Sequence, residues 1–169
     1  MSHQRQRMDD WIAISLPRQR LDIRTGDRVV QSWPVSTAAA GAGERDGSGA
    51  TPRGWHRIRA MIGAAAPSGS VFVARRPTGE IYSAALAAAH PQRDWILTRI
   101  LWLCGSEPGL NRGGAVDSQR RFIYLHGTPE TEPMGIPRSH GCIRLHSAEM
   151  IALFNACRPG MPVWIGASD

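Results

Sequence analysis

Phe122 to Leu145 reads Phe-Ile-Tyr-Leu-His-Gly-Thr-Pro-Glu-Thr-Glu-Pro-Met-Gly-Ile-Pro-Arg-Ser-His-Gly-Cys-Ile-Arg-Leu. Phe122 to Leu125 is an apolar, β-prone run that delivers His126 at its end. A loop rich in Pro, Gly and Glu follows, and Ser139-His140-Gly141-Cys142 leads into Ile143, Arg144 and Leu145. A cysteine attacks as its thiolate, so a base or a positive field beside it is what makes it a nucleophile. His126 and His140 both precede Cys142 and are the candidate bases. Gly141 lets the backbone come close to a substrate and aim its N–H groups at a developing oxyanion.

The flanks supply the frame. Downstream, Ser147 is a good N-cap, Glu149 sits in the first turn, and Met150, Ile151, Leu153 and Phe154 make an apolar face. This predicts a helix over 147–156, stopped by Arg158-Pro159-Gly160, with Cys157 structural and a closing strand over 162–165. Upstream, Asp94 to Leu103 is the most apolar segment. Pro91 before it and Gly105 after it suit a helix, and so short a run suits a buried strand equally well. Cys104 reads as a core thiol, Leu110-Asn111-Arg112-Gly113-Gly114 as a connecting loop, and 84–90 as helical or loose. Strands are expected over 69–74 and 55–61, with His56 packed or exposed on the second rather than functional. Residues 38–50 are small and Gly-rich, a surface loop whose Gly41-Ala42-Gly43 opens no helix and so gives no nucleotide site. Trp11–Ser15, Gln19–Arg24 and Val29–Val35 alternate as strands, the last two a hairpin about Thr25-Gly26-Asp27. Short strands with turn signals dominate, so the fold class is mostly β with one or two short α-helices.

The chain has 169 residues and 42% hydrophobic content, which implies a flexible tail over 1–9 and one domain over 10–169. No run of eighteen apolar residues is present, so no membrane span is expected, and the basic start lacks the apolar stretch of a signal peptide. All 20 basic residues are Arg, against 14 acidic ones. Without Lys there is no Schiff-base chemistry and no P-loop. The Arg residues are scattered, with no helix or aromatic stripe to read bases, so no nucleic-acid partner is expected. Cys104, Cys142 and Cys157 lack the spacing of a disulfide framework or a zinc knuckle. His126, His140, Cys142 and His146 are donor types that suit zinc. No metal and no cofactor is expected, on the argument that a Cys and a His two apart on an extended loop point to opposite faces.

The stretch resembles the signature of the L,D-transpeptidase catalytic domain, also called YkuD, on His126-Gly127 and Ser139-His140-Gly141-Cys142-Ile143-Arg144. Pro34-Val35-Ser36-Thr37, Thr51-Pro52-Arg53-Gly54 and Gly160-Met161-Pro162-Val163 extend the resemblance over roughly residues 10–166. It implies a β-sandwich-like sheet with the catalytic Cys loop on its face. Cys142 would be the nucleophile and His126 the general base, oriented by the carbonyl of Gly127. The N–H groups around His140, Gly141 and Cys142 would form the oxyanion hole, with His140 either shaping it or polarising the Cys. Ser139 would fix the loop, and Arg144 would pair with a substrate carboxylate. The implied partners are peptidoglycan stem peptides, as donor and acceptor, and carbapenem-type inhibitors that acylate the same Cys. Water as acceptor would make an L,D-carboxypeptidase, and loss of turnover a cell-wall-binding module. The resemblance implies the cell envelope, while the lack of a visible signal peptide leaves the cytoplasm open.

Overall fold

Alternating apolar and polar residues build the first hairpin. β1 (Asp10–Ser15) and β2 (Arg20–Thr25) turn Ile12, Ile14, Leu21 and Ile23 inward, and β3 (Arg28–Pro34) pairs with β2 beyond the Gly26 turn. The structure is a computed structural model and describes residues 9–168. The tail expected over 1–9 therefore lies, but for Asp9, outside the described residues. The chain continues through β4 (Gly54–Ile62), β5 (Ser70–Val73), β6 (Arg76–Ile81), α1 (Ala84–Ala89), β7 (Ile96–Gly105), β8 (Tyr124–Thr128), β9 (Ile143–His146), α2 (Ser147–Ala156) and β10 (Pro162–Gly166). The fold is mostly β: one curled sheet of ten strands with two helices.

β7 is the hub of that sheet. One of its edges is taken by β4 and then β5, and the other by β8, which carries β9 in parallel. The segment that suited helix and strand equally is thus a strand, with Pro91 in the turn that precedes it. Leu97 to Leu101 is buried on both faces, so it shows no alternation for a sequence to betray. β6, which no pattern announced, is an edge strand, the position where its Pro77 and Gly79 are tolerated.

The sheet curls until its ends meet. Just past β3, Ser36 exchanges two backbone hydrogen bonds with Arg144 of β9, at 3.0 and 2.9 Å. Gln19 holds this junction: its amide donates to Thr37 Oγ1 at 2.7 Å and its carbonyl oxygen accepts from Thr37 N at 2.9 Å. α2 plugs the curl, with Met150, Leu153 and Phe154 packed among Leu101, Leu125, Ile143 and Leu145. Its N-cap is His146, not Ser147 as the sequence predicts. Ser147 is the first helical residue, and its hydroxyl pairs with Thr98 Oγ1 at 2.6 Å.

Two expectations about single residues change or sharpen. Cys104 is partly exposed, its Sγ 3.7 Å from the Arg57 carbonyl, so it is not a core thiol. Cys157 does pack against the core, and burial pushes its thiol up to about 12. His56 is packed, 1% exposed, with Nδ1 3.0 Å from the Gly54 carbonyl and Nε2 2.8 Å from Ser118 Oγ.

Burial lowers the His56 pKa to about 4. Between pH 6.5 and 4 an unfolded histidine binds a proton that the native one refuses, so stability is full above pH 6.5 and falls as pH drops toward 4. The shift corresponds to about 3 kcal/mol at most. In urea unfolding followed from pH 7 to pH 4, His56→Gln is expected to lose less stability than the wild type. Parallel pH profiles would refute this.

Candidate active site

The register between β8 and β9 assembles the site. Leu125 pairs with Ile143 and His126 with Arg144, in parallel. Leu125, Ile143 and Leu145 point into the core and are fully buried. Alternation then turns Tyr124, His126, Cys142 and Arg144 to the other face. There a cleft of about 340 Å³ is lined by His126, Cys142, Ser139, His140 and Arg144, together with Asp94, Arg121 and Phe122.

His126 is 1% exposed and stands inside β8 rather than at a strand end. Its Nδ1 lies 2.6 Å from the Gly127 carbonyl, the orienting contact the resemblance implies. A carbonyl only accepts, so Nδ1 carries the hydrogen and Nε2 is left as the base. Burial lowers the His126 pKa, keeping the ring neutral. Gly127 has no room for a side chain: a Cβ there would lie 2.5 Å from the Leu97 carbonyl oxygen and 3.1 Å from Thr98 Cβ. Thr98 sits at φ +75°, where the β7–β8 register breaks between Leu97 and Ile100. A β-branched residue in that conformation is strained, and this bulge adjoins the strand that carries His126.

Cys142 Sγ receives the Tyr124 N–H at 3.4 Å and stands 3.4 Å from the Phe122 carbonyl. Burial pushes its thiol up to about 11, against the opposing pull of the Tyr124 N–H. The Arg144 and Arg121 charges pull it down by less, so burial favours the neutral thiol as it favours the neutral imidazole.

The Cys loop is pinned at two of its carbonyls. Ser139 Oγ donates to the Cys142 carbonyl. Gly141 takes φ +129°, which favours glycine, and its carbonyl accepts from Thr51 Oγ1 at 2.9 Å. The same Thr51 oxygen accepts from Ala38 N at 3.0 Å. Because a peptide unit is planar and trans, fixing the Gly141 carbonyl fixes the Cys142 N–H in the opposite direction. Thr51 was read only as part of a turn, yet it is fully buried and holds this loop.

His140 is 79% exposed at the rim, its Nδ1 4.0 Å from Asp94 Oδ2. Arg144 is buried and committed: Nη2 meets Asp94 Oδ1 at 3.0 Å, and Nη1 lies 3.4 Å from the Arg138 carbonyl and 3.7 Å from Glu132. His146 Nε2 lies 2.8 Å from the Glu132 carbonyl. Residues two apart on a regular strand share a face, so strand alternation does not separate His140 from Cys142 as the sequence reading expects. What parts His140 from Cys142 is the positive φ of Gly141.

Sequence reasoning missed three contributors. Asp94 was read only as the edge of an apolar run. The loop 38–50, expected as plain surface, walls the cleft with Asp46, Gly47 and Gly49. Arg121 pins that loop, donating to the Ala50 carbonyl at 2.7 Å and the Gly43 carbonyl at 3.2 Å. An Arg beside small residues some seventy positions away gives no local signal.

Residues 9–165 match the L,D-transpeptidase catalytic domain, YkuD. The chain belongs to this family. Its fold is shared with solved structures of low sequence identity. An L,D-transpeptidase from Mycobacterium smegmatis has a TM-score of 0.58 at 18% identity, over 94% of this chain and 59% of that one. LD transpeptidase LdtMt1, solved with imipenem, has 0.54 at 15%, over 94% and 59%. L,D-transpeptidase 3 from Mycobacterium tuberculosis, with a faropenem-derived adduct, has 0.52 at 17%, over 93% and 60%. This L,D-transpeptidase domain thus spans about three fifths of the length of those chains. No curated protein matches it in sequence.

Thr51→Val keeps the volume of the side chain and strands the Gly141 carbonyl and the Ala38 N–H. The expected cost is about 1–3 kcal/mol in urea unfolding, because buried partners are left unpaired. Thr51→Ser should restore most of it. Equal losses in both variants would mean that packing, not the hydroxyl, holds the loop.

Proposed function

We propose that this L,D-transpeptidase domain acts on peptidoglycan stem peptides through a Cys142 thioester. The observation that carries the reading is the β8–β9 register, which puts His126 and Cys142 on one face of the sheet in a family-typical domain. His126 Nε2 takes the thiol proton as Sγ attacks the carbonyl of the third stem residue. The Cys142 N–H, with that of its neighbour His140, faces the oxyanion, while the Gly141 N–H donates to Ser139 Oγ at 3.4 Å. Collapse breaks the bond to the terminal D-Ala, and the proton held on His126 goes to the leaving amine. An acceptor amine on a second stem then attacks the thioester, forms the cross-linking amide between two third residues and returns the thiol.

In this scheme His140 stands at the mouth and shapes it. Arg144 is a positioning residue: it holds Asp94 in the cleft wall, and pairing with a substrate carboxylate would require Asp94 to yield. The carbapenem and penem complexes of the two solved relatives support the same thiol as a target for such inhibitors here. The proposed setting is the cell envelope, where the polymer lies. Among the described residues no helix is long and apolar enough to cross a membrane.

Intact-protein mass spectrometry with a stem tetrapeptide tests the scheme. A tripeptide adduct with release of D-Ala is expected on the wild type and not on Cys142→Ala. His126→Ala should slow its formation by about 10²-fold or more, the usual contribution of a positioned base. With an acceptor stem added, a cross-linked product marks transfer, and free tripeptide alone marks a carboxypeptidase. Absence of any adduct from folded protein would overturn the reading.

The pH profile tests the neutral pair. His126 accepts a proton only when neutral, and its folded pKa lies below the ordinary imidazole value. Acylation should therefore rise with pH below pH 6.5 and stay flat from neutrality until the thiol itself ionises near 11. A rate that instead falls above pH 7 would indicate an ion pair whose imidazolium is being lost.

A further inference from the structure

We propose that the outer face of β1, β2, β10 and β4 carries a second binding site, for a carboxylate-bearing amino-sugar polymer. Trp164 of β10 lies directly opposite Trp55 of β4. Their ring centroids are 5.2 Å apart, and Trp11 of β1 follows at 5.6 Å from Trp55. Three of the chain's six tryptophans thus form one strip on a single sheet face. Trp55 and Trp164 remain 39% and 37% exposed, although large aromatics are ordinarily covered. Close packing of Trp164 on Gly166, where an added Cβ would lie 2.8 Å from the indole nitrogen, fixes the ring in place.

Beside the strip runs a groove of about 520 Å³, larger than the catalytic cleft and sharing no residue with it. Trp11 and Trp164 line it with Arg18, Arg20, Arg24 and Asp22. The polar groups are ordered. Arg20 Nη2 donates to Ser32 Oγ at 2.8 Å, Ser32 donates to Asp22 Oδ1 at 2.5 Å, and Arg24 Nη2 reaches Asp22 Oδ2 at 3.4 Å.

This combination selects its ligand. The exposed indole faces of Trp55 and Trp164, tilted 54° to each other, take the apolar C–H faces of pyranose rings, while Arg24 stands over the Trp11 ring at 5.5 Å. A ring of fixed donors and one carboxylate takes hydroxyl and acetamido groups, and three arginines against one aspartate leave the groove positive, which favours carboxylates on the sugar. A dry protein partner would have to desolvate the Arg20–Ser32–Asp22–Arg24 network. The first eight residues of the chain include Arg5 and Arg7 and no acid, the wrong charge to fill it. That the polymer is the glycan backbone at stretches from which the stem peptides have been removed, where its carboxylates are free, rests on the transpeptidase reading, while the ligand class does not.

The test is titration of the full chain with soluble peptidoglycan glycan strands stripped of their peptides, read by tryptophan fluorescence and calorimetry. Binding is expected, with at least tenfold weaker binding by Trp164→Ala and by the surface variant Arg20→Glu. Chitotetraose, which lacks the carboxylates, should also bind at least tenfold more weakly. Modification of Cys142 by imipenem should stay within twofold of wild type in both variants, showing that fold and cleft persist. No binding, equal binding by both variants, equal binding of chitotetraose, or tighter binding of a single-stranded oligonucleotide would overturn the proposal. Strand binding without a tripeptide adduct on Cys142 would keep the groove and remove the transpeptidase reading. An adduct without strand binding would do the reverse.

Discussion

The pairing of β8 with β9 is the constraint on which the site depends. Two short parallel strands set Leu125 against Ile143 and His126 against Arg144. One face of the pair is driven into the core by burial of Leu125, Ile143 and Leu145 beneath α2. The other face must then present His126, Arg144 and Cys142 together. Side chains alternate with a period of two, so a slip of one residue would bury the polar set and expose the apolar one. Hydrophobic burial thereby sets the register that brings the candidate site residues together.

Everything around that pair defends its geometry. β7 backs β8 from Tyr124 to Gly127, and the bulge at Thr98 leaves just the space that Gly127 requires. Thr51, far away in sequence, orients the peptide that carries the Cys142 N–H. The Ser36–Arg144 bridge ties the free edge of β9 to the chain leaving β3 and closes the curl. These contacts are directed at backbone groups and fix peptide orientation.

Burial has a chemical consequence. It raises the Cys142 thiol and lowers the His126 imidazole, so each favours its uncharged form. Of the charges that stand near, Arg144 and Asp94 pair with each other at 3.0 Å, and Arg121 donates to the Ala50 and Gly43 carbonyls. Desolvation favours the uncharged thiol and imidazole over the pull of these arginines.

The sequence by itself determined the candidate His126 and Cys142 and much of the frame. His126-Gly127 and Ser139-His140-Gly141-Cys142 are local patterns, as are the N-terminal hairpin and the helix after Leu145, because alternation, turn residues and amphipathic spacing are written in neighbouring positions. Tertiary structure decided what depends on distant partners. The apolar run ending at Gly105 became a strand because two neighbours were available to hydrogen-bond its edges, information its own residues do not carry. Ser147 left the N-cap because Thr98 was there to receive it. Asp94, Thr51, Arg121 and the 46–49 wall joined the cleft only when the sheet curled, since residues fifty or ninety positions apart share a surface through packing and not through pattern.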